Sequence, residues 1–309
     1  MARRHIVYIP GKNPKPPAEE HQKYIWRALV EGVRRAEPEV AEDLSKHQDC
    51  FNFIGWNFIY YQEQDTMNRH LPWIDAQLNK HGPTEQDIEE SKSWHRKLNH
   101  LIYSIVDHFP IILKLLRGEL RSTAEETNRY FENEGGIASD VREQLKEVLR
   151  PLLEDEDDRV LLIGHSLGTV IAYDALWALS QLEYLPGKVD TFITLGSPLG
   201  MKYVKRRLLG SNRTGKQKYP ENIRRWINVA AEGDVTALDR SFADDFSEMV
   251  TLGNTESIED HSEGIYNYFR EKEGLNTHRS YGYLVNPIVG KTIADWWVEN
   301  NDENNINEC

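Results

Sequence analysis

Residues 160–173 read Val-Leu-Leu-Ile-Gly-His-Ser-Leu-Gly-Thr-Val-Ile-Ala-Tyr, and this stretch is the most informative in the 309-residue chain. Its first four residues form a short, continuous apolar run, which is typical of a strand buried on both faces of a parallel sheet. The residues from 167 to about 182 predict a helix. The stretch therefore predicts a buried strand, a tight turn and a helix in direct succession.

The turn holds a serine between two glycines. Gly164-His165-Ser166-Leu167-Gly168 matches the pattern Gly-x-Ser-x-Gly. The pattern is weak evidence alone, but it becomes strong between a strand and a helix, because that setting exposes a serine nucleophile on a strained turn. Gly164 and Gly168 are needed there because a side chain at either position would clash with the neighbouring strand or helix. We predict that Ser166 is a nucleophile on such an elbow.

Strand-like and helix-like segments alternate on both sides of this turn, which favours an α/β fold with a mainly parallel sheet and helices on both faces. The predicted strands lie at residues 5–9, within 51–61, and at 160–163, 191–195 and 226–231, and the predicted helices at 17–36, 167–182 and 286–298.

Residues 62–137 do not fit the alternation, and a structureless loop of that length would be unusual. Thr84 to Asp87 resembles a capping box at a helix start. Leu101, Ile105 and Phe109 keep helical spacing and are candidates to line a substrate site. We predict a helical cap or lid inserted into a catalytic domain formed by residues 1–61 and 138–309. The alternative is that the insertion packs only as core.

Charge and composition exclude several classes of protein. There are 37 basic and 50 acidic residues, for a net charge of −13, which disfavours nucleic acid as a partner. No apolar run of 18 residues is present, so no ordinary transmembrane segment is expected. Seven basic residues without an acid occur between 202 and 218. They are interpreted as a solvated surface or as a site for an anionic substrate.

The compartment is inferred from cysteine content and from the N-terminus. Cys50 and Cys309 do not make a disulfide framework, which suits a reducing compartment. The four largely apolar residues 6–9 are too few for a secretory signal. We therefore expect a cytoplasmic protein. No cluster of His and Cys suggests a metal, and no cofactor is expected.

A serine hydroxyl needs a base, and the base needs an acid to orient it. On a strand–turn–helix elbow the three follow in the order Ser, Asp, His. Asp234 follows the strand at 226–231 and is the preferred acid, with Glu232 as a close rival and Asp239 as a weaker one. Only two histidines lie beyond Asp234. His278, in a polar loop before the last helix, is preferred over His261.

These features resemble the α/β-hydrolases of the lipase/esterase type. The resemblance rests on four blocks: residues 6–11, 160–173, 194–199 and the loop around His278. It implies a catalytic triad of Ser166, His278 and Asp234, with Ser166 forming an acyl-enzyme. Members commonly have His-Gly after the first strand, whereas this chain has Pro10-Gly11.

The resemblance also implies an oxyanion hole. Its donors would be the backbone N–H groups of Leu167, directly after the nucleophile, and of Lys12, directly after Gly11. His165, next to Ser166, is a further candidate to line the substrate site. Backbone donors place no demand on the side chains at positions 12 and 167.

The resulting hypothesis is a hydrolase of carboxylic esters, with a small ester or lipid-like molecule as substrate. The same triad serves thioesterases, amidases and phospholipases. A non-catalytic scaffold that binds a partner through the insertion is the alternative of a different class. Peripheral lipid contact through residues 101–116 is compatible with an esterase. The oligomeric state is not predicted.

A histidine base predicts a pH dependence. An unperturbed histidine titrates near pH 6.5 and accepts a proton only in its neutral form. Ester hydrolysis should therefore speed up as the pH rises through about 6.5. A kcat/KM profile between pH 5 and 8 measures this, and a flat profile with chemistry rate-limiting would contradict a histidine base.

Overall fold

The computed structural model describes residues 3–93, 126–154, 158–237 and 240–299. Its centre is a six-stranded sheet in which every neighbouring pair is parallel, with strand order β2-β1-β3-β4-β5-β6. The strands are β1 (Arg4–Ile9), β2 (Phe51–Phe53), β3 (Arg159–His165), β4 (Val189–Leu195), β5 (Ile223–Val229) and β6 (Ser257–His261). A short hairpin of β7 (Arg270–Glu271) and β8 (Gly274–Leu275) lies outside the sheet.

Helices cover both faces of the sheet and bury two separate apolar cores against it. The predicted α/β class is therefore confirmed. The helices on one face are α1 (Ala18–Ala36), α2 (Pro38–Leu44), α4 (Leu71–Leu78), α11 (Ser280–Leu284) and α12 (Pro287–Val298). On the other face are α3 (Asn57–Tyr61), α6 (Ile137–Glu154), α7 (Leu167–Gln181), α8 (Lys202–Lys205), α9 (Phe242–Asp245) and α10 (Ser247–Thr251). The helix α5 (Glu85–Ser91) precedes the first undescribed range.

The aromatic segment 51–61 is only partly a strand. β2 ends after three residues, and α3 follows it. The indole N–H of Trp56 donates to the Pro10 carbonyl at 2.8 Å, and the Asn57 amide donates to the Gly11 carbonyl at 2.8 Å. The second half of the segment therefore holds the loop that follows β1, an interaction between positions 46 residues apart.

The described ends of the insertion are largely helical. Thr84 and Asp87 form the predicted capping box at the start of α5, with each side chain bonded to the other's backbone. Ile74 and Leu78 of α4 are buried in the same core as α1. Leu101, Ile105 and Phe109 lie outside the described residues, so a lid remains a prediction. No helix among the described residues is both long and apolar enough to cross a membrane.

Candidate active site

Ser166 occupies the sharp turn between β3 and α7. Its φ of +54° and ψ of −128° are unusual for a residue with a side chain, and such backbone strain is concentrated at functional sites. Its N–H donates to the Leu195 carbonyl of β4 at 3.0 Å, and its carbonyl accepts from the Thr169 N–H at 3.0 Å. The turn is therefore held from both the sheet and the helix.

The two glycines beside Ser166 allow this close packing. A Cβ on Gly168 would lie 2.5 Å from the Pro10 carbonyl oxygen, and one on Gly164 would lie 3.0 Å from the Cα of Thr169. Both distances are shorter than a normal carbon contact. Any side chain at position 168 would push α7 away from the loop after β1, which is the loop that borders the serine.

His278 and Asp234 lie next to Ser166 in a continuous chain of hydrogen bonds. The Ser166 hydroxyl lies 2.8 Å from His278 Nε2, and His278 Nδ1 lies 2.8 Å from Asp234 Oδ2. Asp234 follows β5 and has no exposed surface. Glu232 instead pairs with Arg240 at 3.3 Å.

His261, the rival histidine, does not join this chain of contacts. His261 ends β6 and lines a cavity of about 340 Å³ together with side chains of α12. Asp239 lies outside the described residues.

Asp234 is held ionised by its neighbours. Burial acts to raise its pKa, but the charge and hydrogen bond of His278 outweigh that effect and hold the pKa below its usual value. The Tyr283 hydroxyl donates to Asp234 Oδ2 at 2.6 Å, and the Thr236 N–H donates to Oδ1 at 2.9 Å. A buried carboxylate that accepts several donors has few orientations available, so its position relative to His278 is fixed.

Tyr283 is a positioning residue that sequence reasoning missed. Burial, and then the nearby Asp234 charge, raise its pKa well above the usual value, so the hydroxyl stays protonated and donates. The same oxygen accepts from the Ala231 N–H at 2.9 Å. The signal in the sequence was slight, because Tyr283 is one of two tyrosines shortly after His278.

Gly196 is the second missed residue. Its φ is +54°, and a Cβ there would lie 2.7 Å from Asp234 Oδ2 and 3.1 Å from His278 Nδ1. Its N–H donates to the Val229 carbonyl of β5 at 3.0 Å. Glycine at this position leaves room for the hydrogen bond between the acid and the histidine.

His165 is the last residue of β3 and is only 7% exposed. Its Nε2 donates to the His278 carbonyl at 2.7 Å. Burial, and then the His278 charge, lower the pKa of His165 well below its usual value, which keeps the ring neutral. The contact ties the segment before α7 to the loop that carries His278.

The two predicted oxyanion donors belong to the residues directly after Ser166 and directly after Gly11. Leu167 is the first residue of α7, where N–H groups lack partners within the helix and the helix dipole favours negative charge. Gly11 lies against the serine, since a Cβ on it would be 2.8 Å from Ser166 Cβ. Lys12 follows directly, and its ammonium lies 3.7 Å from Glu126.

The basic segment at 202–218 is partly neutralised by acids from elsewhere in the chain. Lys205 pairs with Asp245 at 2.5 Å, Arg207 with Glu132 at 2.9 Å and Lys218 with Glu248 at 3.0 Å. These ion pairs favour the interpretation as a solvated surface over that of an anion site. In the ranges that the structure describes, no group of three or more His, Cys, Asp or Glu side chains could hold a metal ion.

Comparison with known proteins finds similarity to a family model, to a curated protein and to a solved structure. Residues 121–229 match the family model of lecithin:cholesterol acyltransferase. A probable mitochondrial phospholipase of Saccharomyces cerevisiae is 32% identical over 97 residues, which are 30% of this chain and 13% of that protein. The crystal structure of an uncharacterized protein from Pseudomonas aeruginosa aligns with 74% of this chain and 35% of its own, at 8% identity and a TM-score of 0.24.

The family match contains Ser166 and ends before Asp234 and His278. This chain spans about an eighth of the yeast protein. The family match, supported by the short similarity to the yeast protein, confirms the predicted resemblance to lipase-like serine hydrolases of the α/β-hydrolase fold.

Proposed function

We propose that the protein hydrolyses carboxylic esters of lipid-like molecules through an acyl-enzyme on Ser166. The observation that carries the proposal is the hydrogen-bonded chain from Ser166 Oγ through His278 to Asp234, with both contacts at 2.8 Å. The similarity to the lecithin:cholesterol acyltransferase family and to a probable phospholipase supports a lipid acyl ester as the substrate.

The proposed reaction has two halves. Ser166 Oγ attacks the carbonyl carbon of the ester while His278 Nε2 takes the hydroxyl proton. The bond to the alcohol then breaks, and His278 gives the proton to the departing oxygen. Water attacks the acyl-serine in the same way, which releases the carboxylic acid and restores Ser166. Asp234 keeps the proton on His278 Nδ1 and stabilises the imidazolium that forms in each half.

The negative oxygen of each tetrahedral intermediate needs donors that are already in place. We assign this role to the N–H groups of Leu167 and Lys12. The support is the position of Leu167 at the N-terminus of α7 and of Gly11 against Ser166. Loss of one such donor typically costs about 2.7–4 kcal/mol of transition-state stabilisation.

The insertion is proposed to cover the site. Glu126 of the insertion borders the loop after β1, because its carboxylate lies 3.7 Å from the Lys12 ammonium. It also contacts α3, where the Tyr61 hydroxyl donates to its carboxylate at 3.1 Å and the Tyr60 hydroxyl donates to its carbonyl at 2.6 Å. A cytoplasmic location is proposed as well, since the free and buried thiol of Cys50 suits a reducing compartment.

A substrate panel tests the reaction class. We expect release of 4-nitrophenol from 4-nitrophenyl butyrate and of fatty acid from dispersed phosphatidylcholine, with no cleavage of the matching 4-nitroanilide. Amide cleavage without ester cleavage would contradict the proposal. Lack of turnover together with lack of labelling by a fluorophosphonate would instead favour a non-catalytic scaffold.

A further inference from the structure

A group of cationic and neutral polar side chains lies beside the catalytic histidine and is not used by the proposed reaction. Lys15 lies in the loop after β1, and Arg279 follows His278 directly in the chain. His70 lies against Arg279, with 3.0 Å between its Nδ1 and a guanidinium nitrogen. His21 of α1 is buried nearby. Burial, and then the charges of Lys15, Arg279 and His70, lower its pKa well below the usual value. We call Lys15 and Arg279 the cation pair.

The backbone fixes the place of Lys15. The Lys15 carbonyl accepts from the Asp65 N–H at 3.0 Å. The Asn57 amide donates to the Asn13 carbonyl at 2.9 Å, and the Asn13 N–H donates to the Tyr61 hydroxyl at 2.9 Å. The loop that borders Ser166 through Gly11 therefore also carries Lys15, and its backbone is held at Asn13 and at Lys15.

Arg279 is held by neutral partners more than by charged ones. One of its terminal nitrogens donates to His70 Nδ1 at 3.0 Å, while His70 Nε2 lies 2.8 Å from Asp65. The guanidinium also lies 5.9 Å from the centre of the Tyr281 ring. Its nearest carboxylate contact is with Glu271, at 3.5 Å. Among the described residues, its buried Nε has no hydrogen-bond partner.

Burial is the largest cost to the Lys15 charge, which the carboxylates of Asp65 and Glu271 attract. Burial, and then the charges of Arg279 and Lys12, lower the pKa of Lys15 to about 7, and the attraction of Asp65 and Glu271 does not restore it. No side chain of the described ranges forms an ion pair with Lys15 within 4.0 Å. The Lys15 charge also contributes to lowering the pKa of buried His165, whose Nε2 is bonded to the His278 carbonyl. An anion placed beside Lys15 would favour its charged form.

We propose that Lys15 and Arg279 bind an anionic group, a carboxylate or a phosphate, carried by the acyl substrate at the edge of the active site. This inference rests on the proposed function, because the anion site would favour anionic esters among those that Ser166 cleaves. Arg279 offers planar donors and Lys15 a compact charge, a combination that suits oxygen anions. The side chains of Arg279 and His278 are 22% and 27% exposed, so both are reachable from solvent.

The test compares matched esters. The carboxylate arm uses monoethyl adipate against ethyl hexanoate, and the phosphate arm uses 1-oleoylglycerol 3-phosphate against 1-oleoylglycerol. We expect Lys15→Met to lower the ratio of kcat/KM for the anionic ester over the neutral one by about 10- to 100-fold, the worth of a charged hydrogen bond. Lys23→Met on the exposed face of α1 should leave the ratio unchanged. An unchanged ratio for Lys15→Met in both arms overturns the proposal.

A binding measurement separates this site from the hydrolase proposal. Ser166→Ala protein is titrated with monoethyl adipate by calorimetry, which needs no turnover. We expect the affinity to fall as the pH rises from 6 to 8, because Lys15 loses its proton near pH 7 while the carboxylate stays ionised.

Lys15→Arg in the same background serves as the matched variant. It should bind the monoester without that pH dependence, because arginine stays charged. Binding that is absent or independent of pH in the Ser166→Ala parent contradicts the anion site. Absence of ester hydrolysis with binding intact would contradict only the proposed function.

Discussion

Replacing Ser166 with alanine is expected to lower kcat for ester hydrolysis by about a millionfold, the scale seen when a serine nucleophile is removed from a complete triad. The reason is that the hydroxyl oxygen 2.8 Å from His278 Nε2 is the atom proposed to form the covalent bond. Hydrolysis of 4-nitrophenyl butyrate by purified protein measures the effect.

Ser180→Ala is the matched control, because this serine lies on α7 with its hydroxyl bonded to the Leu176 carbonyl at 3.0 Å. It should keep the wild-type rate. The thermal midpoint of each variant shows whether the fold is retained. A Ser166→Ala protein that stays folded and hydrolyses the ester within tenfold of the wild-type rate would remove Ser166 from the mechanism.

Replacing Asp234 with asparagine is expected to lower kcat by about 10⁴-fold, as when the acid of a triad is replaced by its amide. The carboxylate accepts from His278 Nδ1, from Tyr283 and from the Thr236 N–H. An amide has one oxygen for these three donors, and its NH₂ group would favour the histidine tautomer whose Nε2 carries the proton. In that tautomer the histidine cannot accept the serine proton.

The comparison variants for this prediction are Glu232→Gln and Asp244→Asn. Glu232 pairs with Arg240, and Asp244 is exposed on α9, so neither change should affect the rate strongly. Steady-state kinetics at pH 8 on the three variants gives their values of kcat, which are then compared. A large fall in kcat for Glu232→Gln with a small fall for Asp234→Asn would make Glu232, and not Asp234, the acid that orients His278.

The elbow could be predicted because all of its information is local. A buried strand, two glycines around a serine and an apolar helix follow one another within residues 160–182. The pairing of Ser166 with His278 spans 112 positions, and it was predicted only from the chain order that α/β elbows share. Preference for Asp234 over Glu232 rested on the same order and on its place after β5.

Other elements depend on contacts that no local pattern records. β6 has one buried apolar residue, Ile258, because it is an edge strand, so it lacks the apolar run that marked β3. The first turn of α3 is used to hold the Pro10 and Gly11 carbonyls, which lie 46 residues earlier. The helix α6 is a different case, because Val141, Leu145 and Leu149 recur at four-residue spacing on one buried face, a local signal that the sequence predictions did not use.

The residues that support the site could not be identified from local sequence patterns either. Gly196 is required because the side chains of Asp234, His278 and Tyr283 meet beside it. Tyr283 matters because its hydroxyl reaches a carboxylate 49 positions away. From the sequence, Gly196 follows a predicted strand and Tyr283 lies in a predicted loop. The need for a small or a hydroxyl-bearing side chain arises only when these segments are assembled around Asp234.

Covalent labelling tests the assignment of Ser166 as nucleophile most directly. The 309-residue protein is treated with a fluorophosphonate and digested, and the modified peptide is identified by mass spectrometry. The account predicts a single phosphonylated residue, Ser166, and a labelling rate that falls sharply in Asp234→Asn. A label on another residue, or no label on a protein that still hydrolyses esters, would contradict it.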